Sequence, residues 1–218
     1  MFLSALEERR FLVFKLNLSD KIEELIYESI KKNKIEVIIL SLVQYITGYK
    51  IDFKFLNELK IKFPDLIIIG DASQYCGTDS FNFSDSPFDV IISSGYKWVL
   101  AGFGNGFLVF SENFLERTKS NSEIIYKKVY AGHFDILSAF SLLFSIDKLK
   151  EIDLKFLIQE NKKLILYLKE KLIDLELNPF LNKKGLDSSI LSIPNDKKIY
   201  ELLMKNKVYF SLRGEFIR

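Results

Sequence analysis

The sequence holds a single cysteine, Cys76, a single histidine, His133, and a single tryptophan, Trp98, among 218 residues. One cysteine excludes an internal disulfide, so the fold does not depend on an oxidising compartment. One Cys with one His cannot make a zinc site, and no cluster of Cys, His and carboxylates has metal-ligand spacing, so no metal is expected. Four prolines and ten glycines exclude collagen-like and low-complexity classes. Charge of one sign is also lacking: 31 Lys plus Arg stand against 29 Asp plus Glu, a formal net charge of +2. The signs are interspersed and form no basic stripe to neutralise a phosphate backbone, so no nucleic-acid partner is expected. The longest apolar runs, Val37-Ile38-Ile39-Leu40 and Leu66-Ile67-Ile68-Ile69, fall far below the roughly 18 residues that cross a bilayer, and no membrane partner is expected. Glu7-Glu8-Arg9-Arg10 divides the apolar start of the chain and no small-residue cleavage site follows. These features argue against a signal peptide and for a cytoplasmic protein.

What is present is an ordinary globular composition, 48% hydrophobic and 28% charged, long enough for one large domain or a domain and a half. Short apolar runs alternate with amphipathic stretches through the first 110 residues. Residues 10–16 read as a strand, and Ser19 or Asp20 caps a helix with apolar positions Ile22, Leu25, Ile26 and Ile30. Residues 36–42 form a second strand, residues 52–63 a helix stopped by Pro64, and residues 66–70 a third strand. Residues 89–93 and 106–110 complete the strands. Their continuous apolar runs fit strands covered on both faces, and crossovers of a dozen residues or more argue for an open, mostly parallel α/β sheet. Helical periodicity dominates residues 135–175, with Leu154, Leu157, Ile158, Leu164, Ile165, Leu168 and Leu172 as a long apolar stripe. Residues 178–187 read as a turn-rich boundary, and residues 189–218 as strand, helix, strand.

In open α/β sheets ligands bind beyond the carboxyl ends of the strands. Two such ends carry unusual polar residues: Gly70-Asp71-Ala72-Ser73-Gln74, and Ser93-Ser94-Gly95-Tyr96-Lys97-Trp98 followed by Gly102-Phe103-Gly104-Asn105-Gly106. The glycine-rich stretch is no dinucleotide fingerprint, because it follows the lysine instead of opening a helix after a first strand. Asp71 alone reads as a turn or cap residue and Lys97 alone as a surface lysine. Their spacing allows a loop, a crossover and a neighbouring strand, which would bring both to one crevice.

This pairing resembles the class V aminotransferases and cysteine-desulfurase-like enzymes, fold-type I proteins dependent on pyridoxal phosphate. The family's Asp-x-x-Gln is matched by Asp71-Ala72-Ser73-Gln74, and its Ser-x-His-Lys by Ser94-Gly95-Tyr96-Lys97, followed by the glycine turn. Flanking features match as well: Ser41-Leu42-Val43-Gln44-Tyr45-Ile46-Thr47-Gly48, Gly77, Asp79, Asp89, Gly132-His133 and the closing Ser211-Leu212-Arg213-Gly214-Glu215-Phe216-Ile217-Arg218. The resemblance implies a three-layer α/β/α large domain over residues 1–150, and a linking helix with part of a small α+β domain over residues 151–218. It implies pyridoxal 5'-phosphate as cofactor, carried by Lys97 as a Schiff base. Asp71 would keep the ring nitrogen protonated, Gln74 would bond the phenolic oxygen, and Ser94 and Tyr96 would hold the phosphate. Arg218 would bind the carboxylate of an amino-acid substrate, with Arg213 as fallback. A homodimer is implied too.

The departures are specific. Tyr96 stands where the family has His, keeping a donor hydroxyl but no imidazole. Tyr45 stands where several relatives have Asn. The chain begins well inside the family's pattern, without the segment that supplies part of the phosphate cradle and the group stacked on the ring, and stops at the substrate-carboxylate arginine. A second reading therefore stays open: a truncated or degenerate, non-catalytic relative serving as an interaction domain or fragment. Cys76, far from the late position of a desulfurase's persulfide cysteine, is expected to be a small buried residue, and Trp98 core packing.

Overall fold

The computed structural model describes residues 21–130, 132, 135–177 and 188–218. The strand read at residues 10–16, the caps Ser19 and Asp20, His133 and the turn-rich boundary at 178–187 lie outside the described residues. The chain divides into two compact units, Met1–Ile35 and Glu36–Arg218. In the first, helix α1 (Ile22–Asn33) places Glu23 and Glu24 in its first turn and Lys31 and Lys32 in its last, complementing the helix dipole at both ends. Lys34 ends it in the left-handed conformation, φ 51°, with its N–H on the Ile30 carbonyl.

The second unit is built on strands β1 (Val37–Ser41), β2 (Ile67–Asp71), β3 (Val90–Ser94) and β4 (Gly106–Phe110), which form one sheet in the order β1-β2-β3-β4. The first three are parallel: Val37 lies beside Ile67, and Ile69 beside Val90. Helix α2 (Phe53–Lys62) makes the β1–β2 crossover, its start fixed by the Asp52 carboxylate accepting from Lys54 N. The β2–β3 connection passes through a short 3-10 turn, Phe83–Asp85. β4 runs antiparallel to β3, pairing Val90 with Phe110 and Ser94 with Gly106. The sheet is thus mostly parallel, as the strand rhythm implies. The reversal follows from the connection: residues 95–105 contain no helix to carry the chain back across the sheet.

Phe53, Tyr75, Phe81 and Phe88 pack as an aromatic cluster, with ring centroids 5.2 to 6.3 Å apart. Ile68, Leu56, Leu59 and Leu66 are fully buried nearby in sequence. Gly70 is required by packing, because a Cβ there would stand 2.6 Å from Leu42 Cδ1 and 2.8 Å from Ile91 Cδ1 and Phe88 Cδ1. Asp89, at the foot of β3, is buried and accepts from Lys60 Nζ at 2.8 Å and from Ile68 N at 2.8 Å. A charge this deep survives because both partners are in place.

Helices α3 (Glu112–Arg117) and α4 (Ser122–Val129) follow the sheet, then α5 (Ile136–Glu151) and α6 (Leu154–Asp174). Ser111, Asn121, Asp135 and Asp153 each accept a first-turn N–H at the head of these four helices. The helical region read as residues 135–175 is therefore two helices, and the second has its own aspartate cap. A small antiparallel sheet, β5 (Ile193–Pro194), β7 (Phe216–Ile217) and β6 (Leu212–Arg213), packs its strands in the order β5-β7-β6, with α7 (Lys197–Lys205) between β5 and β6.

One burial expectation is corrected. β1 is not covered on both faces: Ile39 is 68% exposed, and among the described residues β1 is an edge strand. In the α6 stripe only Ile158 is fully buried, while Leu157, Leu164 and Leu168 are exposed. Periodicity marks which residues share a face but not what covers that face.

Candidate active site

Three parallel strand ends meet at one edge of the sheet. Leu42 N, just past β1, donates to the Asp71 carbonyl at 2.9 Å, and Ala72 N, just past β2, donates to Ile92 O at 2.8 Å. Asp71 is half-buried at the last position of β2, and its Oδ1 accepts from Ser73 N at 2.9 Å. Its turn role and its place at the strand end coexist.

The Asp71 and Lys97 loops are joined by side chains. Ser73 Oγ accepts from Ser94 N at 3.2 Å, and Gln74 Oε1 accepts from Trp98 Nε1 at 3.2 Å. Trp98 is half-buried, so it is a polar tie as much as a packing residue. Ser94 Oγ is buried with no hydrogen-bond partner, a condition rare enough in folded proteins to require an explanation.

Lys97 opens a turn in which Leu100 N donates to the Lys97 carbonyl at 3.0 Å, closed by Ala101 N on Gly95 O at 2.8 Å. Its Nζ lies 5.7 Å from the centroid of the Tyr96 ring and, among the described residues, makes no hydrogen bond or ion pair. Tyr96 is 44% exposed and stacks on Phe103 at 5.3 Å. The loop beyond runs through left-handed residues: Leu100 at φ 60°, Gly102 at 74° and Gly104 at 83°. Glycine takes that conformation freely, whereas Leu100 is held in it at a cost of about 1 kcal/mol.

Arg218 is tied to the loop after β1, where its Nη1 donates to the carbonyl of Tyr45 at 2.7 Å. Burial, with the neighbouring Arg213 charge, pulls its guanidinium below the ordinary value. The segment leading into β5 holds the same loop, since Ser188 Oγ donates to Gly48 O at 2.7 Å and Ser192 Oγ to Ile46 O at 2.5 Å.

A cavity of about 230 Å³ opens elsewhere, where Asp79 takes both Lys50 and Lys162 at 2.6 Å. Of the residues quoted from the sequence, Val43, Asp79 and Ile165 line it, whereas Asp71, Gln74, Ser94, Tyr96, Lys97 and Arg218 do not. Burial works to raise the Asp79 carboxyl, but the hydrogen bonds from Lys162 and Lys50 prevail and hold it below the usual carboxylate value. Cys76 is half-buried rather than buried, and burial pushes its thiol up, against an opposing hydrogen bond with Ser93. Among the described residues no group of His, Cys, Asp and Glu could hold a metal, and no helix is long and apolar enough to cross a membrane.

Residues 7–205 match the model of the aminotransferase class-V family. The chain belongs to the class V aminotransferase family. Pyridoxal phosphate is the cofactor of that family. Solved structures of similar fold include a cysteine desulfurase from Thermococcus onnurineus NA1 (TM-score 0.74, 17% identity, 96% of this chain and 58% of that one). A cysteine desulfurase from Escherichia coli aligns with TM-score 0.73 and 14% identity over 96% of this chain and 57% of its own. An alanine–glyoxylate aminotransferase from Nostoc sp. aligns with TM-score 0.70 and 15% identity over 94% of this chain and 59% of its own. This class V chain therefore spans less than two thirds of the length of these solved relatives. A search of curated proteins found no match.

Sequence reasoning missed Ser73, Asn105, Ser141 and Ser145. Asn105 Nδ2 donates to Ala101 O at 2.8 Å and to Ser138 O at 3.0 Å, fastening the glycine-rich loop to itself and to α5. The signal was present: Ser138, Ser141 and Ser145 fall three and four residues apart in a stretch, residues 136–146, that is otherwise apolar.

Proposed function

We propose that this chain is the cofactor-bearing part of a pyridoxal-phosphate-dependent enzyme of the class V type acting on an amino acid, with Lys97 as the lysine that carries the cofactor. The observation that carries this reading is the joined pair of strand ends: at Lys97 an amine that lies over the Tyr96 ring and makes no hydrogen bond or ion pair among the described residues, a carboxylate at Asp71, and between their loops a buried Ser94 hydroxyl with nothing bonded to it. An orphaned buried hydroxyl fits a ligand oxygen, and a phosphate supplies one.

When bound, the cofactor supplies a conjugated ring that draws electrons from the substrate carbon. The chain's residues set the conditions. Asp71, with one oxygen steadied by Ser73 N, keeps the other for holding a proton on the ring nitrogen. Gln74 has its carbonyl oxygen occupied by Trp98, which leaves its two N–H donors for the ring's phenolic oxygen. Ser94 and Tyr96 donate to the phosphate. Lys97 Nζ moves a proton to and from the reacting carbon. Arg218 uses one N–H on Tyr45 O and retains the others for the substrate carboxylate.

A homodimer belongs to the same reading. Leu137, Phe140 and Phe144 on α5 are 82%, 65% and 65% exposed, an apolar face of the kind that association covers. Sedimentation of the purified chain tests this, and a well-behaved monomer would overturn it. The cofactor assignment is tested by adding pyridoxal phosphate and recording the visible absorption band. Wild type is expected to develop the band and Lys97→Ala to lack it; a wild-type protein that stays colourless would overturn the reading.

A further inference from the structure

The loop that carries Lys97 is fastened mainly by a helix outside the sheet. Ser145 Oγ of α5 donates to Val99 O, and Ser141 Oγ donates to Ala101 O at 2.5 Å. Asn105 Nδ2 donates to the same Ala101 carbonyl and to Ser138 O. Val99 and Ala101 are buried, 4% and 0% exposed, and flank Leu100, which is left-handed and 74% exposed. Residues held in such a conformation persist where their surroundings over-determine them. Here the two carbonyls on either side of the strained residue are both taken by α5 hydroxyls, and the turn they fix begins at Lys97 O. Ser145 is 8% exposed, and its O–H spans 46 residues to reach a loop carbonyl in place of a carbonyl of its own helix.

We propose that Ser141 and Ser145 are positioning residues that set the reach of the Lys97 amine toward the cofactor, through the Val99 and Ala101 carbonyls. The inference rests on the assignment of Lys97 as the cofactor-bearing lysine. Neither serine touches the cofactor. Their hydroxyls hold the loop in the conformation from which Lys97 Nζ, which makes no hydrogen bond or ion pair among the described residues, extends. Removing them takes the side-chain donor from the buried Val99 carbonyl and leaves the Ala101 carbonyl to Asn105 alone, which loosens the left-handed turn, so the amine samples positions away from the ring.

The test uses the full chain with Ser141→Ala, Ser145→Ala, the double variant, and Ser141→Thr and Ser145→Thr as conservative controls. Three quantities are read: the dissociation constant for pyridoxal phosphate, the midpoint of the pH titration of the visible band, and amide hydrogen exchange at Leu100 and Ala101 without cofactor. The double alanine variant is expected to lose ~10-fold or more in cofactor affinity, as two lost buried hydrogen bonds allow. It is also expected to shift the titration midpoint and exchange faster at both amides, while the threonine variants stay near wild type. A merely structural role lowers thermal stability but leaves the titration midpoint of the folded fraction in place, and that result would refute the proposal. So would threonine variants as impaired as the alanine ones. If the double variant does not fold, the two single variants carry the same readouts. A wild-type chain without a visible band rejects the Lys97 assignment itself; a normal wild-type band with unaltered variants rejects only the role of α5.

Discussion

Gly95 lies between β3 and Lys97, and replacing it by alanine sets two local structures against each other. A Cβ built on Gly95 stands 1.9 Å from Asn105 Oδ1, 3.0 Å from Asn105 Cγ and 3.1 Å from Leu142 Cδ1. Gly95 is not among the left-handed glycines, so its backbone accepts alanine and the cost is entirely steric. At 1.9 Å the amide of Asn105 cannot stay. It cannot leave freely either, because its Nδ2 holds Ala101 O and Ser138 O at 2.8 and 3.0 Å. Losing both bonds costs about 2 kcal/mol. Crowding Leu142 adds about 1 kcal/mol, which puts Gly95→Ala about 3 kcal/mol below wild type. Asn105→Ala alone gives up the same two bonds but also removes Oδ1, a buried oxygen with no partner, so it costs about 1 kcal/mol. In the double variant the clash is gone, and the total falls below the sum of the singles by about 2 kcal/mol. Urea unfolding of the four proteins measures this cycle. A Gly95→Ala protein within 0.5 kcal/mol of wild type, or two strictly additive substitutions, would refute the argument that Asn105 occupies the space a side chain at position 95 needs.

Three further outcomes are expected. Asp89→Ala leaves Lys60 Nζ with the Leu66 carbonyl alone and Ile68 N without its carboxylate, and should cost about 3 kcal/mol in the same urea assay, because breaking a largely buried pair removes the countercharge; a loss under 1 kcal/mol contradicts this. Asp79, held below its ordinary value of 3.8 by Lys162 and Lys50, contributes stability that is complete above that value and is lost as pH falls below it through the folded-state value. Asp79→Asn should therefore be less stable than wild type at neutral pH, and the two should converge under acid; parallel stability curves below pH 3.8 would contradict the assignment. Because burial raises the Cys76 thiol, it should react with a disulfide reagent at mildly alkaline pH more slowly in the native state than after unfolding in urea, and equal rates would show the thiol is open to solvent.

Local chemistry sufficed for much of this protein. Apolar runs of four and five residues placed β1 to β4 to within a residue or two, since a strand is a short extended segment whose side chains need cover. The helices that start after Asp52 and Asp135 were legible, because an N-cap bond closes within three residues, whereas the cap at Asp153 that divides the region read as one was not. The motifs around Asp71 and Lys97 were enough to indicate the family to which the chain belongs. Tertiary structure alone decided the rest. That β4 turns back antiparallel depended on the path of an eleven-residue loop spanning 95–105. The outward face of α6 and the exposed Ile39 depended on what lies over them. The partners of Ser73, Trp98, Asn105, Ser141 and Ser145 depended on strand ends and a helix brought together across 21 to 46 residues. Periodicity is a property of neighbours along the chain, whereas a hydroxyl that leaves its own helix to hold a distant carbonyl is chosen only once the fold has placed that carbonyl within reach.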